Sequence, residues 1–226
     1  MIIARSVIGG ADDKQAESQP KYVDPGKPGQ PPADAVVLFD GKDLSGWTKA
    51  DGSPAQWTAA DGVMTCKPGS GSIVSKQKFG SVQLHVEFAT PLMPDAKDQG
   101  RGNSGVYVQG RYEIQVLDSY KNETYPNGSC GALYGQYAPL VNACRPPLEW
   151  QTYDILFHAP KCDDSAKVVE KGRLTILHNG VLIQDHVEIK GVCGGELDRN
   201  ECEPGPLLLQ DHGNLVRFRN IWYRPL

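Results

Sequence analysis

Residues 102–119 read GNSGVYVQGRYEIQVLDS. Two runs of strict alternation meet at Gly110, which predicts a β-hairpin. One face carries Val106, Val108, Ile114 and Val116; the other carries Tyr107, Gln109, Glu113 and Gln115, with Arg111 at the turn. A side-chain period of two puts those sets on opposite sides of a sheet. Core strands rarely set glutamate, glutamines and tyrosine side by side unless that face holds a polar ligand. The hairpin is therefore the first candidate for a sugar-binding surface.

Outward from the hairpin the pattern is strand, turn, strand. Candidate strands are 36–39, 55–59, 62–66, 72–75, 81–89, 104–109, 111–118, 150–158, 173–178, 181–187, 206–210 and 215–224. Asn179-Gly180 and Asp61-Gly62 are hairpin turns, because both residue types accept the positive φ of a type I′ turn. In 81–89, Val82, Leu84, Val86 and Phe88 share one face; in 150–158, Tyr153, Ile155 and Phe157 do. Only Gly131–Leu140 has room for a short helix. No βαβ alternation is present, and many short strands with turn punctuation predict an all-β, two-sheet antiparallel sandwich of jelly-roll type. Residues 1–34 are expected to be an extended or disordered arm, since 11–34 (ADDKQAESQPKYVDPGKPGQPPAD) cannot bury enough apolar area to offset its ordering entropy. The folded domain is expected over 35–226.

The chain has 226 residues, 39% of them hydrophobic, with a formal net charge of -4. That is enough for one core, and the sign of the charge argues against nucleic acid and anionic membrane surfaces as partners. No apolar run approaches the ~20 residues of a membrane-spanning helix. The six cysteines include no CxxC pair, so a zinc ribbon is not expected. Cys130/Cys144 and Cys193/Cys202 each flank a loop rich in Gly, Pro or Asn, which predicts two local disulfides, with Cys66–Cys162 left by elimination; scattered buried thiols are the other reading. The opening MIIARSVIGGADD is too brief for a signal peptide. It is either a non-secreted start or one lying beyond an export signal, and the cysteine pattern favours a periplasmic or secreted protein.

Four blocks carry a resemblance: FDGKDLSGW (39–47), the hairpin (102–119), ACRPPLEWQTYDILFHAP (143–160), and LTILHNGVLIQDHVEI through GPLLLQDHGNLVRFRNIWYRPL (174–226). In this order they resemble the bacterial 3-keto-disaccharide hydrolase family, which has the concanavalin A-like lectin/glucanase jelly roll. The resemblance covers about 36–226 and implies cleavage of a glycosidic bond in a sugar already oxidised to a ketone at C3. Such a ketone acidifies the C2 proton, and the C1 oxygen lies β to the carbonyl. Loss of the C2 proton then expels the aglycone by elimination, and water adds to the enone; direct hydrolysis is the other route. The site needs a base near C2, a donor or cation for the enolate, and an acid for the leaving oxygen.

Glu113 is the first choice for base or metal ligand, as the one acid on the polar face of the hairpin. Gln109, Gln115, Gln210, Asn103 and Tyr107 would hydrogen-bond sugar hydroxyls, Arg101 would stabilise an enolate, and Arg219 would face the cleft from the last strand. His212 is the best acid/base candidate, since histidine as a residue type titrates near neutrality; Asp211 would orient it or share a metal with it. Asp118 either ligates a divalent metal (Ca or Mn/Zn-like) or caps the turn after its strand. His85, His158, His178 and His186 read as structural or surface residues, and Trp47 and Trp222 as core.

Two rivals share the fold. A retaining glucanase needs paired carboxyls ~5–5.5 Å apart, expected on one strand as E-x-D-x-E, whereas the run here is Glu113, Gln115, Leu117. A non-catalytic carbohydrate-binding module would suit the same polar face, but it need not bring Glu113 and His212 into one pocket.

Overall fold

The computed structural model describes residues 19–226. The first eighteen residues of the expected arm lie outside the described residues. In chain order the strands are β1 (Val36–Phe39), β2 (Trp47–Lys49), β3 (Thr58–Ala60), β4 (Val63–Thr65), β5 (Ile73–Phe79), β6 (Val82–Ala89), β7 (Ser104–Val108) and β8 (Tyr112–Val116). There follow β9 (Gln151–His158), β10 (Lys161–Cys162), β11 (Val168–Glu170), β12 (Arg173–His178), β13 (Val181–Glu188), β14 (Gly205–Leu209) and β15 (Arg217–Pro225). Every pairing is antiparallel. One sheet runs β13-β12-β9-β6-β15-β4-β3 with β1 also on β15, and the second runs β2-β5-β14-β7-β8. The two pack face to face, as the alternating strands require.

The long strands fill the space between the sheets. Val82, Leu84, Val86 and Phe88 of β6 and Tyr153, Ile155 and Phe157 of β9 are fully buried. They meet Val106, Ile114 and Val116 from the hairpin in one continuous core. Each such side chain contributes about 1.5–3 kcal/mol on leaving water. Trp47 and Trp222 are buried as expected. The Asn179-Gly180 and Asp61-Gly62 turns both have positive φ at each residue, as a type I′ turn demands.

Three short strands escape the sequence pattern: β2, β10 and β11 have two or three residues each, too few to show a period. The expected helix in Gly131–Leu140 does not form. Gly131 and Tyr134 donate to the carbonyls of Gln115 and Glu113, and the Gln115 N–H donates to Ala132. The segment thus spends its backbone groups on the open edge of β8, which would otherwise be left unpaired. Residues 19–34 run without helix or strand and are tied to β15. Asn220 donates to the Gly29 carbonyl, and Arg224 forks onto the Asp34 carboxylate at 2.7 Å.

The cysteine pairing differs from both local expectations. The disulfide joins Cys162 to Cys202, forty residues apart, whereas Cys66, Cys130, Cys144 and Cys193 are free. Cys193 is buried beneath the loop that carries it, bonded to the Tyr134 carbonyl and the Gln136 amide, so it cannot reach Cys202. Cys66 lies in the core beside Asp211, which excludes Cys66–Cys162. The bond fastens the β10–β11 ribbon to the 191–204 loop. Its loop length sets a chain-entropy stabilisation of about 3–4 kcal/mol. The C162S/C202S double variant is accordingly expected to melt well below the wild type in a calorimetric scan; an unchanged melting temperature would contradict this.

Candidate functional site

The hairpin folds as its alternation requires, with Tyr107 opposite Glu113 and Gly105 opposite Gln115. Gln109 and Gly110, both at positive φ, form the turn. Valines and Ile114 point into the core, so Tyr107, Glu113 and Gln115 emerge on the other side of the five-stranded sheet. There they line a pocket of about 260 Å³ with Gln99, Asn103, Tyr134, Gly194, Gly195, Gln210 and His212. This is at the small end of ligand pockets (roughly 300–1,000 Å³), and suits one sugar ring better than an extended chain.

Glu113 is only 3% exposed. Burial pushes its carboxyl up to about 7, against a smaller lowering by the neighbouring Tyr107 hydroxyl. Gly105 makes room for it. A Cβ there would sit 2.5 Å from Glu113 Oε1 and 2.7 Å from Tyr107 Cε2. Glycine in a strand interior often marks such a close approach. G105A is therefore expected to displace the carboxylate and cut turnover about 10–100-fold, with overpacking costing about 1–3 kcal/mol. Steady-state rates and a melt on the same sample test it, and unchanged turnover would show that the carboxylate position is not constrained.

Tyr107 orders the other side. Its hydroxyl donates to the Gly194 carbonyl at 2.9 Å and accepts from Gln210 Nε2 at 3.0 Å. The loop can come this close because Gly195 has no side chain: a Cβ there would lie 2.8 Å from that hydroxyl. Gln99 is the hub of the opposite wall. Its Oε1 accepts from both Gln115 Nε2 (2.9 Å) and Asn103 Nδ2 (3.3 Å), and its own Nε2 donates to Thr124 and the Gly128 carbonyl. Carbonyl acceptors fix the amide orientations of Asn103 and Gln115, because each donates to one. The consequence is three buried amide oxygens without a partner among the described residues: Asn103 Oδ1, Gln115 Oε1 and Gln210 Oε1. Buried acceptors are costly when unpaired, and sugar hydroxyls are donors of the right kind.

Of the residues expected at the site, Glu113, His212, Asn103, Tyr107, Gln115 and Gln210 line this pocket, His212 from its exposed side. The others lie elsewhere. Gln109 sits in the turn, where its Nε2 donates to the Phe79 carbonyl. Asp211 accepts from Gly71, Gly213 and the Cys66 thiol. Partial burial works against its charge, but those backbone bonds win and hold it below the usual carboxylate range; it builds the turn and does not orient His212. Arg101 pairs with Asp118 at 2.9 Å, away from the pocket. Asp118 also accepts from the Tyr120 N–H, so its carboxylate is engaged by the turn and by Arg101. Arg219 belongs to the other sheet, where it pairs with Glu87 at 2.6 Å and stacks 4.0 Å over Trp150.

Sequence reasoning missed Gln99, Tyr134, Gly194 and Gly195. The Gly194-Gly195 pair was the one local signal, since adjacent glycines outside a strand signal a close backbone approach. Gln99 and Tyr134 reach the pocket only through loop folding.

The profile of the 3-keto-alpha-glucoside-1,2-lyase-like domain family matches residues 34–224. No curated protein matches the chain. Among solved structures, a "putative glycosyl hydrolase" from Parabacteroides distasonis is 40% identical, with all of both chains covered and a TM-score of 0.87. A second protein of that description from the same organism is 21% identical over 85% of this chain and 94% of its own, TM-score 0.61; likeness at that level shows the fold alone. Carried by the match over nearly the whole folded part, the conclusion is that the chain belongs to the 3-keto-alpha-glucoside-1,2-lyase-like domain family.

Proposed function

We propose that this pocket cleaves glycosidic bonds of sugars bearing a ketone at C3. The observation that carries the reading is that Glu113 and His212, about a hundred residues apart, line one small pocket with unpartnered amide acceptors. A binding module has no need of that convergence. A carboxyl held near 7 is matched to proton abstraction at neutral pH, because a general base works best with a pKa near the working pH. Among the described residues Glu113 is also the only carboxyl that lines the pocket, which fits elimination better than the two-carboxyl route of ordinary glycosidases.

In this reading Glu113 removes the C2 proton, and the electron pair of that C–H bond passes into the enolate of the C3 ketone. Collapse of the enolate breaks the C1–oxygen bond, and His212 on the exposed side protonates the departing oxygen. The products are an enone sugar and a free alcohol; addition of water to the enone completes net hydrolysis. Asn103, Gln115 and Gln210 accept hydrogen bonds from the ring hydroxyls and hold the C2 proton toward the base. The family match and the 40% identical relative described as a glycosyl hydrolase support carbohydrate cleavage as the class. The test offers 3-keto and unoxidised glucosides side by side, with and without chelator, and compares C2-protio with C2-deuterio substrate. Cleavage confined to the ketone, with a primary isotope effect, is expected. Equal cleavage of the unoxidised glucoside would discard the elimination reading.

A further inference from the structure

Behind the hairpin, on the side away from the pocket, three side chains with soft donor atoms converge. Cys130, Cys144 and His178 offer ligand atoms that all lie within 4.8 Å of one another. Cys130 and His178 are buried and Cys144 is half-buried, so the cluster has one side toward solvent. The catalytic proposal uses none of them.

The histidine is prepared in a particular way. Its Nε2 meets Gln151 Oε1 at 2.8 Å. That oxygen also accepts the Arg145 backbone N–H at 3.0 Å, so it is an acceptor, and Nε2 must carry the proton. The other nitrogen, Nδ1, is then a bare lone pair, and it is buried with no hydrogen-bond partner among the described residues. A ring nitrogen held by an amide or carboxylate while the other is left bare is the usual outer-shell arrangement of a metal-binding histidine.

We propose that Cys130, Cys144 and His178 form a structural site for a thiophilic divalent cation, Zn2+ being the best match. Two sulfurs and one imidazole favour Zn2+ over Ca2+ or Mg2+, which prefer oxygen donors. Bonds of about 2.3 Å to sulfur and about 2.0–2.1 Å to nitrogen put tetrahedral ligand atoms roughly 3.4–3.8 Å apart. The cluster therefore closes with shifts of an ångström or less. The ion displaces the proton from each thiol, both protons leave to solvent, and water takes the fourth position on the open Cys144 side. Two thiolates neutralise the ion, so Arg145 faces no net positive charge. The site also supports the pocket from behind: Cys130 Sγ lies 3.1 Å from the Tyr153 hydroxyl, which donates to the Gln115 carbonyl at 2.6 Å.

The test uses the full chain, metal-stripped and with the Cys162–Cys202 bond shown intact by mass spectrometry, titrated with Co2+ as a spectroscopic stand-in. A saturable sulfur-to-cobalt charge-transfer band with tetrahedral d–d bands is expected, bleached by Zn2+, retained in C66S and C193S, and lost in C144S. Zn2+ should also raise the wild-type melting temperature and leave that of C144S unmoved, since metal binding to the native state is folding free energy. The proposal is overturned if the wild type shows no such band, if the band survives in C144S, or if peptide mapping of the protein as purified finds Cys130 bonded to Cys144. None of these readouts involves a sugar, so they stand apart from the catalytic reading.

Discussion

Glu113→Gln is expected to abolish turnover of a 3-keto-glucoside while raising, not lowering, stability above neutral pH. The rate effect follows from the loss of the only carboxyl that the described residues put in the pocket, and removal of a general base costs about 10²–10⁴-fold. The stability effect follows from linkage. Burial lifts Glu113 from the ordinary 4.5 to about 7 in the folded protein. Between those two values the native state keeps a proton that the unfolded chain has released, so stability falls as pH rises through this window. Once above about 7 the buried carboxylate costs the fold on the order of 2–4 kcal/mol, at about 1.4 kcal/mol per unit. Glutamine has the same shape and no charge, so the variant escapes that loss. Melts at pH 4.5 should coincide, and melts at pH 8 should place the variant above the wild type. In the wild type, kcat/KM should rise with pH as Glu113 ionises near 7. Wild-type turnover in E113Q would remove Glu113 from the mechanism, and parallel melting curves at all pH values would show that its carboxyl is not held proton-bound by burial.

The second large effect is expected at Arg111, a residue whose sequence context suggested only a turn. Its guanidinium is 2% exposed, pairs with Asp198 at 2.6 Å, and donates to the Glu203 carbonyl at 2.7 Å and to Gln109. Its carbonyl takes the Cys193 N–H. Arg111 thus clasps both ends of the loop that brings Gly194 and Gly195 over Tyr107. R111A should cost about 2–3 kcal/mol; a buried pair broken at one partner costs about 3–5, discounted because Asp198 is partly in water. Turnover should fall about 10–100-fold as well, because the Tyr107 hydroxyl loses its acceptor and the wall beside Glu113 loosens. R111K should recover little of either, since an ammonium group cannot reproduce the planar fork. Denaturant melts and steady-state kinetics on both variants check this. Full activity in R111A would show that the loop holds its place without the clasp.

A network of oppositely charged side chains lies on the opposite sheet. His85 lies between Asp154 at 2.6 Å and Glu87 at 3.7 Å and stacks on Trp222. Burial opposes its charge, but the two carboxylates prevail and raise it to about 9. Arg219 and Asn220 complete this group through Glu87. It is an ion-pair network binding β6, β9 and β15, and it explains why Arg219 is not available to the pocket.

Alternation in 102–119 was enough to put Glu113, Tyr107 and Gln115 on the outer face of a hairpin, because a period of two admits one assignment when the valines must be buried. The same rule placed β6 and β9, and the Asn-Gly and Asp-Gly turns followed from φ preferences that act within two residues. What the sequence by itself determined is therefore the local layer: the longer strands, the two-residue turns, the faces and the one acid on the polar face of the hairpin. Tertiary structure alone decided which loops close the site. Gln99, Tyr134 and the Gly194-Gly195 wall come from segments with no period of their own, steered by unpaired edges and by contacts such as Arg111–Asp198. It likewise decided the partner of Cys202, because a disulfide depends on where two Cβ atoms meet in space and not on the loop that lies between neighbouring cysteines. Asp211, Arg101 and Asp118 have the chemistry for a site, yet nearby N–H groups and countercharges claim them first, and such competition is settled only once distant parts of the chain are side by side.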